Sequence, residues 1–213
     1  MQEPAPKQPN IAPVLPKLSF LLLVATMFLA SAMVIFLFIL PSEQKNKDFY
    51  TFQGVNIRGK LISLEKYRGS VSLVVNVASE CGFTANNYKD LQQLQRELGP
   101  MHFNVLGFPC NQFGNQEPGT DQEVEMFVRK TFSVSFPMFS KIIVKGTGAN
   151  AAFKYLIDST GKEPDWNFWK YLVDPKGQVV DVWPPSVSVA EIKPKIVSLV
   201  RQLIVKRKEE IVM

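Results

Sequence analysis

Cysteine and histidine are scarce in this chain, with two of the first and one of the second among 213 residues. Two thiols exclude a disulfide-dense secreted scaffold and a four-cysteine zinc site. A single histidine excludes multi-histidine metal centres and argues against a Ser-His-Asp arrangement. No metal and no bound cofactor is expected. An excess of charge of one sign is also lacking. Lys plus Arg number 24 against 19 Asp plus Glu, a net of +5, and the basic residues are scattered apart from Lys206, Arg207 and Lys208. A nucleic-acid binder concentrates such charge on a stripe among aromatics, so no nucleic-acid partner is expected. The chain also has no internal repeat, no Asn-x-Ser/Thr glycosylation site and no Cys-x-x-Cys pair.

What is present is segregated. Hydrophobic residues make up 46% and charged residues 20%, near a soluble average. Yet residues 18–40, from Leu18 to Leu40, carry no charge at all. As a helix this run spans roughly 34 Å, enough for a hydrocarbon core of about 30 Å. Residues 18–40 are expected to form one transmembrane helix, a signal anchor closed by Pro41. A cleaved signal peptide is the rival reading, with Lys7 and Lys17 as its basic region and Ala30, Ser31 and Ala32 as its cleavage site. Cleavage there would leave a greasy new terminus starting at Met33. Residues 1–17, with Pro4, Pro6, Pro9, Pro13 and Pro16, read as a disordered tail. Lysines flank both sides of the run (Lys7 and Lys17, Lys45 and Lys47), so charge does not orient it.

Residues 41–213 are long enough for one substantial core. Phe49 to Val55 and Leu61 to Leu64, around the Asn56 to Gly59 turn, predict an opening hairpin. The β-branched run Val71 to Ala78 predicts a central strand buried on both faces. Thr84 to Leu98 has helical spacing in Tyr88, Leu91, Leu94 and Leu98, and Gly99-Pro100 stops it. Phe103 to Phe108 predicts a second central strand, completing a right-handed βαβ unit. Thr120 to Glu123 has the pattern of a capping box before a helix over 124–130. Lys170 to Trp183 predicts a hairpin turning at Asp174 to Gly177, and Ser188 to Glu191 caps a last helix reaching about Val205. The resulting order is that of an α/β, thioredoxin-like sandwich: a central mixed β-sheet flanked by helices, preceded by the transmembrane helix.

Cys81 sits where a central strand gives way to a helix. The partial positive charge of a helix start favours a thiolate there, and open α/β sheets place ligands beyond the carboxyl ends of strands. Glu80 would oppose this unless its side chain turns to solvent. Cys110 ends the second central strand, at the same edge of the sheet. It reads either as a resolving thiol or as a small packed residue. In Trp166 to Trp169, Asn167 is an amide between aromatics, and its burial would require a partner. His102 has no acid or nucleophile at useful spacing and reads as a surface residue.

Asn76 to Thr84, Gly107 to Gly114 and Trp166 to Phe168 together resemble the three signature blocks of the glutathione peroxidases, in the same order. The resemblance covers Phe49 to Leu203. It implies a catalytic tetrad which, carried over by motif, is Cys81, Gln112, Trp166 and Asn167, with Cys110 as a possible resolving residue. Gln, indole and Asn donors suit a thiolate and a peroxide oxygen. Cys81 stands where the best-known members have selenocysteine, which implies a slower enzyme.

The implied activity is reduction of hydrogen peroxide or a small hydroperoxide through a Cys81 sulfenic acid. Re-reduction would come from a dithiol protein such as a protein disulfide isomerase, or from glutathione. The helix 84–98 lacks the resolving cysteine of thioredoxin-dependent members, and no Arg/Lys cluster is assignable to glutathione. With the apolar segment, the chain is similar to the membrane-anchored members, which puts the folded domain in the lumen of the endoplasmic reticulum, as a monomer. The tail Glu209 to Met213 is no Lys-Asp-Glu-Leu signal. Two other readings compete: a disulfide oxidoreductase with little peroxidase turnover, which the absence of Cys-x-x-Cys opposes, and a membrane-tethered interaction protein that keeps the fold.

Overall fold

The computed structural model describes residues 47–212. The tail expected at 1–17 and the anchor expected at 18–40 lie outside the described residues. Among the described residues no helix is long and apolar enough to cross a membrane.

The centre is a four-stranded sheet in the order β4-β3-β5-β6. β3 (Val71–Val77) is buried at all seven positions, which its run of valines makes favourable. It pairs in parallel with β4 (Phe103–Pro109), and the crossover helix α1 (Thr84–Leu98) has the bounds its periodicity predicts. β5 (Lys170–Val173) runs antiparallel to β3 on its other side, and β6 (Val179–Trp183) closes the sheet as the second arm of the predicted hairpin. The sheet is therefore mixed, as expected.

Alternation along the strands sends side chains into two separate cores. One holds Val71, Leu73, Val75 and Val77 of β3. It is covered by α1, by α2 (Asp121–Phe132) and by the last helix α4 (Val189–Val212). The other holds Val74, Leu106 and Phe108, covered by α3 (Ala151–Thr160) and by the buried pair Phe49 and Tyr50. Both predicted capping boxes form. Thr120 N donates to Glu123 Oε2 at 2.7 Å, and Ser188 N donates to Glu191 Oε1 at 2.8 Å.

Three sequence expectations are corrected. The opening strand is shorter: Phe49–Thr51 is a 3₁₀ turn capped by Asp48, and only β1 (Gln53–Val55) pairs with β2 (Leu61–Ser63). Burying both Phe49 and Tyr50 on one side requires a turn, because a strand would point them apart. Helix α3 was not anticipated, although its ends carry ordinary signals. Asn150 caps it through Ala152 N at 3.0 Å, and Gly161 ends it at φ 64°. Helix α4 runs to Val212 rather than stopping near Val205. Its last turns hold no Gly or Pro, contain the Lys206–Glu210 pair, and are tied back by Arg207, which donates to Gly69 O at 2.6 Å.

Candidate active site

Three chain segments meet at the carboxyl ends of β3 and β4. The first is the turn from β3 into α1. Thr84 Oγ1 accepts from Cys81 N at 3.0 Å and donates to Ala78 O at 2.8 Å, while Thr84 N donates to Cys81 O at 2.9 Å. One threonine thus fixes both sides of the loop, and Cys81 is held 7% exposed at the rim of the α1 core. Glu80 is exposed, so its carboxylate does turn to solvent.

The second segment follows β4. Cys110 N donates to Val77 O at 3.0 Å, and Glu80 N donates to Gln116 O at 2.9 Å, so the segment runs beside the Cys81 loop. Asn111 Oδ1 accepts from Glu117 N at 2.8 Å, and Gly114 and Asn115 turn the chain through positive φ.

The third segment is the approach to β5. Asn76, a polar residue in the middle of an apolar strand, accounts for its placement. Its Nδ2 donates to Trp166 O at 3.0 Å, and its carbonyl accepts from Phe168 N at 2.7 Å. Phe168 is held at φ 70°, a left-handed conformation costly for an aromatic residue, which the surroundings must impose. Asn167 between them is fully buried. Its Nδ2 donates to Phe113 O at 3.3 Å and to Gln116 Oε1 at 3.0 Å. Trp166 is 38% exposed at the mouth, its ring against that of Phe113. Below them the buried Lys170 donates from Nζ to Phe168 O at 2.9 Å and Val187 O at 3.1 Å.

Of the residues singled out from sequence, Cys81, Trp166 and Asn167 therefore lie on converging segments. Gln112 follows on the second of these segments, two residues past Cys110. It is exposed, and its amide fastens the loop at 144–145: Nε2 donates to Lys145 O at 2.9 Å, and Oε1 accepts from Val144 N at 2.7 Å. The amide beside Asn167 belongs to Gln116, four residues further on. Gln116 lies just past the block Gly107 to Gly114, in the Gly114 to Glu117 turn.

Cys110 is at the predicted edge of the sheet but faces the other core, with Leu106 and Phe108. It is fully buried, its Sγ 3.6 Å from Gln112 Oε1, and burial pushes its thiol pKa up. Both cysteines are free. Trp169 also belongs to that second core and donates to Asp165 Oδ1 at 2.8 Å. His102 is exposed at φ 61°, beside Arg207 and away from these segments. Among the described residues no group of His, Cys, Asp or Glu could hold a metal ion.

Residues 49–157 match the model of the family described as glutathione peroxidase. Over 168 residues the chain is 70% identical to glutathione peroxidase 7 of Mus musculus, a match covering 79% of this chain and 90% of that one. It is 53% identical over 169 residues to probable glutathione peroxidase 8 of Homo sapiens, covering 79% and 81%. Among solved structures, Trgpx in its apo form superposes with a TM-score of 0.61 at 31% identity, over 73% of this chain and 97% of that one. A thioredoxin-family thiol:disulfide interchange protein from Chlorobium tepidum TLS superposes with a TM-score of 0.53 at 18% identity, over 72% and 96%, a likeness of fold alone.

Proposed function

The chain belongs to the glutathione peroxidase family, whose peroxidase activity it shares, and we propose that Cys81 is the sulfur that carries the reaction. The observation that carries this reading is the convergence of the Cys81 loop with the Gln116–Asn167 amide pair and the Trp166 segment, the first tied to Gln116 through Glu80 N and the last anchored by Asn76. The Cys81 thiolate attacks the terminal oxygen of a hydroperoxide. The S–O bond forms, the O–O bond breaks, and the leaving oxygen takes a proton to become water or an alcohol. Sulfur is oxidised to a sulfenic acid as the peroxide is reduced.

Donors fixed before reaction stabilise the charge that develops on the departing oxygen, and here these are the indole of Trp166 and the amide groups around Asn167. Gln112 remains the proposed amide of the tetrad, and Gln116 adds a second amide that holds Asn167 through its Oε1.

The sulfenic acid then needs a thiol. Cys81 and Cys110 pack in cores on opposite faces of the sheet, and a bond between them would require one sulfur to leave its core. An external thiol fits the fold better: it condenses with the sulfenic acid, releasing water, and the second thiol of a dithiol protein displaces Cys81 as a thiolate. A protein of the protein disulfide isomerase type is the proposed reductant, with glutathione as the alternative. The uncharged run at 18–40 supports a single-pass membrane anchor. Similarity to the membrane-anchored members supports the endoplasmic reticulum, with a monomeric domain in the lumen.

The test is mass spectrometry of the full chain after one equivalent of hydrogen peroxide, with Cys81→Ser beside it. The expected product is a sulfenic acid on Cys81, converted to a mixed disulfide when a dithiol protein is added. Equal peroxide consumption by Cys81→Ser would sink the assignment, and a quantitative Cys81–Cys110 disulfide would sink the external thiol.

A further inference from the structure

Three charged side chains are buried among the described residues: Asp48, Glu117 and Lys170. Lys170 is the cation of the three, and it lies fully buried on a strand whose other members, Tyr171, Leu172 and Val173, are buried as well. Asp48 has a charged partner, accepting from Arg68 Nη2 at 3.0 Å. Lys170 is held differently. Glu191, the carboxylate whose charge acts on it, is exposed, and its Oε1 accepts from Ser188 N at 2.8 Å and Ser188 Oγ at 2.7 Å. The ammonium instead meets two backbone carbonyls, Phe168 O at 2.9 Å and Val187 O at 3.1 Å. A buried ammonium is destabilising, and an apolar side chain in its place would avoid that penalty. Packing alone does not account for Lys170.

Phe168 is the residue that has to be held. Its φ of 70° is unfavourable for an aromatic side chain and persists only where several contacts impose it. Phe168 N donates to Asn76 O at 2.7 Å, Asn76 Nδ2 donates to Trp166 O at 3.0 Å, and Lys170 Nζ donates to Phe168 O. Asn76 grips the segment from β3, and Lys170 grips it from β5 with the one charged donor of the set. Because Nζ also reaches Val187 O, it ties the segment to the loop that leads into α4. Asn167 lies between the gripped points. Its Nδ2 donates to Gln116 Oε1 at 3.0 Å, and Gln116 O accepts from the N–H of Glu80, next to Cys81, at 2.9 Å. Rotation of the backbone at Phe168 would therefore shift Asn167 and Trp166 against the Cys81 loop.

We propose that Lys170 is a positioning residue of the peroxide reaction: its ammonium fixes the Phe168 carbonyl, and through it keeps the Asn167 amide and the Trp166 indole in register with the Cys81 loop. The inference rests on the reading above, in which Cys81 reacts and these groups serve the departing oxygen. Lys170 acts through the peptide 166–168 and not on the peroxide itself. Donors for a leaving oxygen are effective only when fixed in place before the reaction. A displacement of about 1 Å lowers the rate without any change in the nucleophile.

The surroundings make this hold depend on the charge of Lys170. Burial lowers its pKa to about 8, with Glu191 opposing, so the ammonium is present at neutrality and is lost above it. The titratable groups facing it are Glu191 from α4 and, across the Phe168 ring, Tyr88 from α1. Hydrogen bonds from Ser188 hold the Glu191 carboxyl below its usual range, and burial holds the Tyr88 hydroxyl well above its own. The flanking strands meet Lys170 at Val75 of β3 and Trp183 of β6, neither of which titrates. Just above neutrality Lys170 is thus the member of this set that changes charge, and a neutral amine is a weaker donor than an ammonium.

The experiment measures two rates on the full chain: oxidation by hydrogen peroxide in stopped flow, and alkylation of Cys81 by iodoacetamide, read by mass spectrometry. Both need the thiolate, but only the first needs donors for a leaving oxygen. The ratio of the two therefore cancels the ionisation of Cys81 and reports positioning. A folded Lys170→Met should lower this ratio by about 10- to 100-fold with alkylation unchanged. Lys170→Arg, which keeps a cationic donor, should recover part of that loss. A wild-type ratio in folded Lys170→Met overturns the proposal, whether both rates stand or both fall together. If Lys170→Met does not fold, the wild type decides: its ratio should fall as pH rises through about 8, and a ratio that stays flat there overturns the proposal. An inert Cys81→Ser alongside an unaffected Lys170→Met removes the positioning role alone, whereas an active Cys81→Ser removes the reacting sulfur and the positioning role with it.

Discussion

The two faces of the central sheet are packed to similar completeness, yet they surround their cysteines differently. On the α3 face, Tyr50 OH donates to Ser70 O at 2.7 Å and Tyr171 OH donates to Lys162 O at 2.8 Å. The sulfur of Cys110 lies there in an aromatic core with Phe108, Phe139 and Phe153. On the α1 face, Tyr88 is as deeply buried, but its hydroxyl has no partner. Unpartnered atoms are not confined to one face, since Asn76, which alternates with Val74 toward the α3 side, also keeps its Oδ1 without a partner. The difference lies at the thiols: Cys110 is sealed among aromatic rings, whereas Cys81 sits at the rim of its core. That both thiols are buried therefore says little about their roles; the company each keeps says much more.

The largest effect that could break this contrast comes from exchanging the cysteines one at a time. Cys81→Ser should abolish peroxide-driven sulfur oxidation, followed by mass spectrometry. Cys110→Ser should leave that first step in place and instead cost about 1–3 kcal/mol in chemical denaturation, for a hydroxyl placed in an apolar core. Next in size is a truncation on the closed face. Phe153→Ala should lower unfolding stability by about 3–5 kcal/mol while leaving the peroxide rate of the folded fraction unchanged. A rate loss there would show that the faces are coupled.

The pH dependence of stability separates two of the buried charged groups. Glu117 has its folded pKa raised from 4.5 to about 7, so the native state holds a proton that the unfolded state has released. Its contribution is fully present below about pH 4.5 and is lost as pH rises through about 7, a swing of about 3 kcal/mol at most. Glu117→Gln should remove this slope in denaturation curves taken across the range. Lys170 has the opposite sign: burial lowers its pKa to about 8, so its contribution grows as pH rises from there toward 10.5. A smaller effect lies at α2. Thr120→Ala removes the cap of α2, which should cost about 1 kcal/mol by thermal melting without moving the pH profile of the peroxide rate.

How much of this could be read from the chain follows the range of the interactions. The strand 71–77, the helix 84–98, both capping boxes and the 174–177 turn are written in neighbouring residues. Local periodicity and turn chemistry were enough for them. Helix α3 is equally local in origin, bounded by the cap residues Asn150 and Gly161. The 3₁₀ turn at 49–51 was not legible, because only the arrival of Gly177, whose carbonyl accepts from Phe49 N at 3.0 Å, shows why the chain bends there. Within the site, Asn76 carried a warning, being a lone polar residue in a buried strand. Gln116 carried none that would set it above Gln112.

By itself the sequence determined that a cysteine stands at a strand-to-helix junction, that three signature blocks lie in order around it, and that an uncharged run precedes the folded part. These depend on spacing along the chain. Tertiary structure alone decided which glutamine amide meets Asn167, which core each thiol faces and which glutamate is buried. Those outcomes depend on contacts between residues as far apart as Gln116 and Asn167, and on the positive φ values at Gly114 and Asn115 that re-aim the loop. A residue's side of the sheet past a strand end is set by such turns and distant hydrogen bonds, and neither leaves a period in the sequence to read.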